Sequence, residues 1–101
     1  MENSLKAYSL LNRASVIKVE SFLLHNWQLE DYKDWIDFED DEPVFTCSYT
    51  KFEEGLTWDF EFTKKSFEDA KIVDNIIEMM DNKGELVMIK CFKLTSLKYE
   101  D

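Results

Sequence analysis

The apolar positions of this chain fall into runs of two different periods. From Ser4 onward, Ala7, Leu10, Leu11, Ala14 and Ile17 recur at intervals of three and four, as on one face of an α-helix, with Ser4 placed to cap it. No Gly or Pro precedes Pro43, which suits a helical N-terminal half because both residues interrupt helices. From Ser15 to Leu24 two assignments compete. Ile17, Val19 and Leu23 alternate with Lys18 and Glu20 as in a strand, yet the same stretch also prolongs the helical stripe. Over residues 26–38 the spacing predicts another helix. Asn26 is its N-cap, Leu29, Tyr32, Trp35 and Ile36 share a face, and Glu30 and Asp31 lie near the positive end of its dipole.

Beyond Pro43 the period becomes two. Val44–Thr50, rich in β-branched and aromatic residues, reads as a strand. Leu56–Thr63 alternates without a break, with Leu56, Trp58, Phe60 and Phe62 on one side and Thr57, Asp59, Glu61 and Thr63 on the other. Such alternation marks a half-buried antiparallel strand, and Lys51–Gly55 has the composition of a hairpin loop joining the two. Next, Ser66-Phe67-Glu68-Asp69 resembles a capping box. Phe67, Ala70, Val73, Ile76, Ile77 and Met80 follow at helical spacing, and Gly84 sits where a C-cap belongs. These signals predict a helix over residues 66–82. The rival is a hairpin in which Asp81–Gly84 turns between Ile76–Met80 and Glu85–Ile89; the capping signals favour the helix. Glu85–Leu94 is the last strand, and its continuous run Leu86–Ile89 places it centrally.

This order predicts an α+β fold of two layers, with helices packed on one face of a small, mostly antiparallel sheet. If residues 15–24 form a strand, the chain reads as a split β-α-β-β-α-β unit; otherwise a helix crosses a three-stranded sheet. At 101 residues the length suits one domain. An aromatic content of 15% is far above that of disordered chains, so order is expected.

Charge changes the picture more than any motif. Twenty-two acids against twelve bases leave a net charge of −10. Such a field repels nucleic acids and anionic membranes and favours basic partners. Arg13 is the only arginine, although arginine is the usual reader of phosphates and bases. The acids are also concentrated. Glu30, Asp31, Asp34, Asp37, Glu39, Asp40, Asp41 and Glu42 against Lys33 alone give −7, leaving −3 for the rest of the chain. Trp35, with Trp27 nearby, is a candidate aromatic anchor among them, because Trp dominates binding hot spots. Asp59 and Glu61 form a second acidic row on the polar side of their strand, next to Glu53 and Glu54 in the loop.

Catalytic and cofactor signatures are absent. The single His25 and the widely separated Cys47 and Cys91 offer no transition-metal spacing, and both cysteines lie in apolar runs that suit buried thiols. Asp37–Pro43 lacks the glycine of a calcium loop, and Asp81–Glu85 interposes Lys83 among its ligands. Two isolated glycines cannot form a phosphate loop. No metal, cofactor or enzyme activity is therefore expected. The N-terminus lacks the basic-then-apolar order of a signal peptide and no stretch reaches membrane-span length, which points to the cytoplasm. The expected function is that of a small acidic protein-binding module. It would inhibit a basic, nucleic-acid-binding partner by charge mimicry, in the manner of immunity proteins or phage anti-defence proteins, likened by size and charge alone. The alternative is a structural or assembly subunit, a homo-oligomer whose acidic face serves only solubility.

Overall fold

A computed structural model describes residues 2–93. Helix α1 (Glu2–Arg13) is followed by strands β1 (Val16–Val19), β2 (Phe22–Leu24) and β3 (Gln28–Leu29), and by a 3₁₀ helix (Tyr32–Asp37). After these come β4 (Pro43–Lys51), β5 (Leu56–Thr63), a short α2 (Lys64–Glu68), and strands β6 (Lys71–Val73), β7 (Ile76–Met80) and β8 (Leu86–Phe92). The strands form two antiparallel sheets, one ordered β2-β1-β8-β7-β6 and the other β3-β4-β5. The fold is α+β, as the periodicity predicts, but the split β-α-β-β-α-β order is not the one adopted.

Three segments depart from expectation, each for a local reason. Ser4 lies inside α1 rather than capping it, and its hydroxyl meets the Tyr32 hydroxyl at 3.0 Å. Residues 15–24 are neither a continued helix nor one strand: Glu20 takes a positive φ of 57°, and the chain reverses there between β1 and β2. In residues 26–38 the expected α-helix is replaced by β3 and the 3₁₀ helix. The N-cap is Asp31, whose carboxylate accepts from the Lys33 N–H, and not Asn26. A 3₁₀ helix has three residues per turn, so Tyr32, Trp35 and Phe38 line up on one side and Ile36 is rotated off it. Accordingly Trp35 is 3% exposed and Ile36 83%.

The helix expected over 66–82 is also overturned. The capping box exists three residues earlier: Thr63 Oγ1 accepts from the Ser66 N–H, while Ser66 Oγ accepts from the Thr63 N–H, each at 3.2 Å. Helix α2 ends after five residues, and the β-branched Ile72, Val73, Ile76 and Ile77 then pair as a hairpin through Asp74 and Asn75. Such residues lose side-chain freedom in helices and fit the pleat of a sheet better. The rival reading of 76–89 as a hairpin is the correct one. Asp81 closes its turn, accepting the N–H groups of Lys83 and Glu85 at 2.9 Å each, and Gly84 supplies a φ of +81°.

β4 and β5 match their expected limits closely, and β5 shows the predicted alternation with Phe62 fully buried. β8 is central, as expected, although Leu94 lies outside the described residues. Its burial nevertheless alternates: Val87, Ile89 and Cys91 face the core, while Leu86 and Met88 are about half exposed. The continuous apolar run therefore reflects an apolar outer face and not burial on both sides.

Between the sheets and α1 lies one apolar cluster. Ile17, Val19, Ile77, Met79, Val87 and Ile89 come from the large sheet, Val44, Phe45, Cys47 and Phe62 from the small one, and Ala7 and Leu11 from α1. Phe22 of β2 stacks on Tyr49 of β4 at 4.4 Å and joins the two sheets. Burial of this kind, at about 25 cal/mol per Å² of apolar surface, is the main source of stability. Among the described residues no helix is long and apolar enough to cross a membrane.

Candidate interaction surface

All eight acids of the segment Glu30–Glu42 are exposed, and the backbone beneath them is fixed at several points. At its start the Glu30 N–H donates to the Val44 carbonyl at 2.9 Å, extending the β3–β4 ladder. The 3₁₀ turn is closed by Asp34 N–H to Asp31 O and Phe38 N–H to Trp35 O, at 2.9 and 3.0 Å. Within the turn after it, Glu39 donates to the Glu42 carboxylate at 2.7 Å and Glu42 donates back to the Glu39 carbonyl at 3.1 Å. The far end is tied to α2, whose Lys64 and Lys65 N–H groups donate to the carbonyls of Glu42 and Asp40 at 3.1 and 3.0 Å. The carboxylates thus stand on an ordered scaffold, with little side-chain neutralisation. Lys33 lies 3.9 Å from Asp31, at the limit of an ion pair. Lys64 Nζ donates instead to the Phe38 carbonyl at 3.1 Å, and Lys65 pairs with Asp69 at 3.3 Å.

Trp35 does not stand where a surface anchor needs to be. Its ring is enclosed by Tyr8, Tyr32 and Phe67, with centroids 5.8, 4.8 and 4.8 Å away, and its Nε1–H donates to the Glu30 carbonyl at 3.0 Å. It is a core residue that fixes the acidic segment from below. The exposed apolar side chain of the segment is Ile36, which the expected α-helical stripe had turned inward. The run Tyr32-x-x-Trp35-x-x-Phe38 was the signal that could have revealed this, since a strict period of three is that of a 3₁₀ helix. Beside Ile36 a small apolar notch of about 190 Å³ is lined by Ser4, Tyr32, Trp35, Ile36, Lys64 and Glu68.

The second acidic row adjoins the first. Gln28, Thr46 and Glu61 lie opposite one another across β3, β4 and β5, with Asp59 next to Glu61 on the same side. A shallow groove of about 470 Å³ runs over this face, bordered by the half-buried Trp27. Asn82 fixes one edge: its N–H reaches the Glu61 carbonyl at 2.9 Å and its side-chain amide the Glu61 carboxylate at 3.3 Å. Because Glu30 continues the β3 ladder, the acidic segment begins at one corner of this groove.

Cys47 and Cys91 are buried, and burial pushes each thiol from 9.0 up to about 12, which suppresses the nucleophilic thiolate. His25 is exposed. Among the described residues no three His, Cys, Asp or Glu side chains converge in a way that could hold a metal ion. Comparison with family models, with curated proteins and with solved structures finds no match to this chain.

Proposed function

We propose that the protein is a small cytoplasmic binding module that occludes a basic, nucleic-acid-binding partner by charge mimicry. One observation carries this reading: eight exposed carboxylates on a backbone pinned at both ends, with a single base among them at 3.9 Å. Like charges gathered in this way work against compaction, so a folding role does not account for them. A preformed acidic surface would steer a cationic protein into contact and lose little conformational freedom on binding. Ile36 and the notch beside it would receive an apolar side chain of the partner, while the carboxylates stand in for phosphates.

The test is affinity capture from host extract with the full chain at low and high salt. It is run beside a variant carrying Asp37→Asn, Asp40→Asn, Asp41→Asn and Glu42→Gln. A basic protein held at low salt, weakened by salt, released by added duplex DNA and lost with the variant is the expected result. Capture that ignores both salt and the four substitutions would remove the acidic segment from the function.

A further inference from the structure

The outer face of the five-stranded sheet is unlike the rest of the molecule. Pairing places Leu23, Lys18, Lys90, Ile76 and Val73 in one row across all five strands, and Met88, Glu78 and Lys71 in the next. Leu86 and Met80 pair in a third. No element of the described chain covers these side chains: Leu23, Val73, Met80, Leu86 and Met88 are 57, 66, 50, 58 and 49% exposed. Scattered exposed apolar residues are ordinary, but here Met80, Leu86 and Met88 adjoin one another and Val73 adjoins Ile76, with lysines between these groups and Leu23; apolar side chains so gathered on one uncovered sheet face mark an interface.

Charge and size say what covers it. Lys18, Lys71 and Lys90 are set against Glu78 and, at the β1–β2 turn, against Glu20, whose carboxylate also accepts from the Met88 N–H at 2.9 Å; together they leave the face at +1 on a protein of −10. Two copies of so acidic a chain repel one another over most of their surfaces and least over this one. The interleaved signs are self-complementary, so a two-fold axis can set the lysines of one copy against the glutamates of the other. With strands about 4.8 Å apart and residues about 3.4 Å apart, the 22 residues of the five strands give the face a footprint of roughly 360 Å². Side chains standing on it, five of them about half exposed or more, raise the accessible area above that footprint toward the ~800 Å² per partner of a standard interface. We infer that the protein forms a symmetric dimer through the outer face of the β2-β1-β8-β7-β6 sheet. The acidic segment contributes no side chain to these rows, so the dimer contact does not use the carboxylates of the partner surface proposed above.

Sedimentation velocity on the full chain across a concentration series tests this, together with the single variants Leu86→Arg, opposite the uncharged Met80, and Val73→Lys. Both positions point outward, so both variants are expected to melt as the parent does. The parent should sediment as a concentration-dependent dimer that raised salt strengthens, because salt screens the repulsion between two −10 chains. That sign is opposite to the salt effect expected for a basic partner. Each folded variant should weaken the dimer roughly tenfold or more, as a buried unpaired charge does. The control Phe52→Ser, at a residue 89% exposed in the β4–β5 loop, should leave it intact. A parent that stays monomeric to about 0.5 mM, far above typical dimer affinities, overturns the inference and leaves the face to another occupant. So does a dimer that survives both charge insertions.

Discussion

Replacing Asp37, Asp40 and Asp41 by Asn and Glu42 by Gln should make the protein more stable at low salt. The change takes the net charge from −10 to −6 while keeping side-chain size. It also keeps the one carboxylate contact that matters locally, since the amide oxygen left by Glu42→Gln can still accept from the Glu39 N–H. Two like charges about 8 Å apart in water repel by about 0.5 kcal/mol. Neighbours in sequence stay close in the unfolded chain, so only part of this repulsion is specific to the fold. A few such pairs relieved on the pinned segment give a gain of about 1–2 kcal/mol. At ~10 mM salt the screening length is about 30 Å and most of the gain is seen; at ~1 M it is about 3 Å and the gain vanishes. Urea unfolding of parent and variant at the two salt concentrations measures the difference directly. A variant less stable than the parent at low salt would mean that the carboxylates hold the fold. The case for an acidic surface kept for binding would then fail. A gain of equal size at both salt concentrations would refute the electrostatic account in another way.

Four further outcomes are expected. Because burial raises Cys47 and Cys91 from 9.0 to about 12, the unfolded thiols lose their protons first as pH rises. Their contribution is thus intact below pH 9 and lost between about 9 and 12, by up to about 1.4 kcal/mol per pH unit for each thiol; a double Cys→Ala variant should show a shallower decline in alkaline urea melts. Trp35→Phe should cost about 1–3 kcal/mol, through the lost donor to Glu30 O and the space left between Tyr8 and Phe67. Ile36→Ala should leave the melting temperature unchanged and weaken capture of the basic partner. Equal destabilisation by the two substitutions would contradict their placement. Asp74, at φ 55° in the β6–β7 turn, should tolerate Gly with a gain of up to about 1 kcal/mol, a rise of several degrees in Tm for a chain of this size; a fall would show that the Asp74 side chain holds the turn.

Wherever one residue type or a strict alternation sets the local geometry, the sequence alone was sufficient. Leu56–Thr63 admits only a half-buried strand, because a one-residue slip would turn Phe60 and Phe62 to solvent and Glu61 to the core. The acidity of Glu30–Glu42 and its exposure follow from composition, since so many carboxylates cannot be buried without partners. Cys47 and Cys91 were legible as buried thiols from their apolar neighbours. Tertiary structure decided the rest. Ile72–Met80 carries a helical stripe and a strand composition together, and what chose the strand was pairing with β8, which lies several residues further along the chain. The Asp31 cap and the burial of Trp35 against Phe67, a residue of a distant helix, selected three residues per turn over residues 32–37 and so exposed Ile36. The outer face of the large sheet was hidden for the same reason. Leu23, Val73, Met80, Leu86 and Met88 come from two separate hairpin groups, β1–β2 and β6–β7–β8, that meet only through the long-range β1–β8 register, and no local pattern records which side of a sheet remains uncovered.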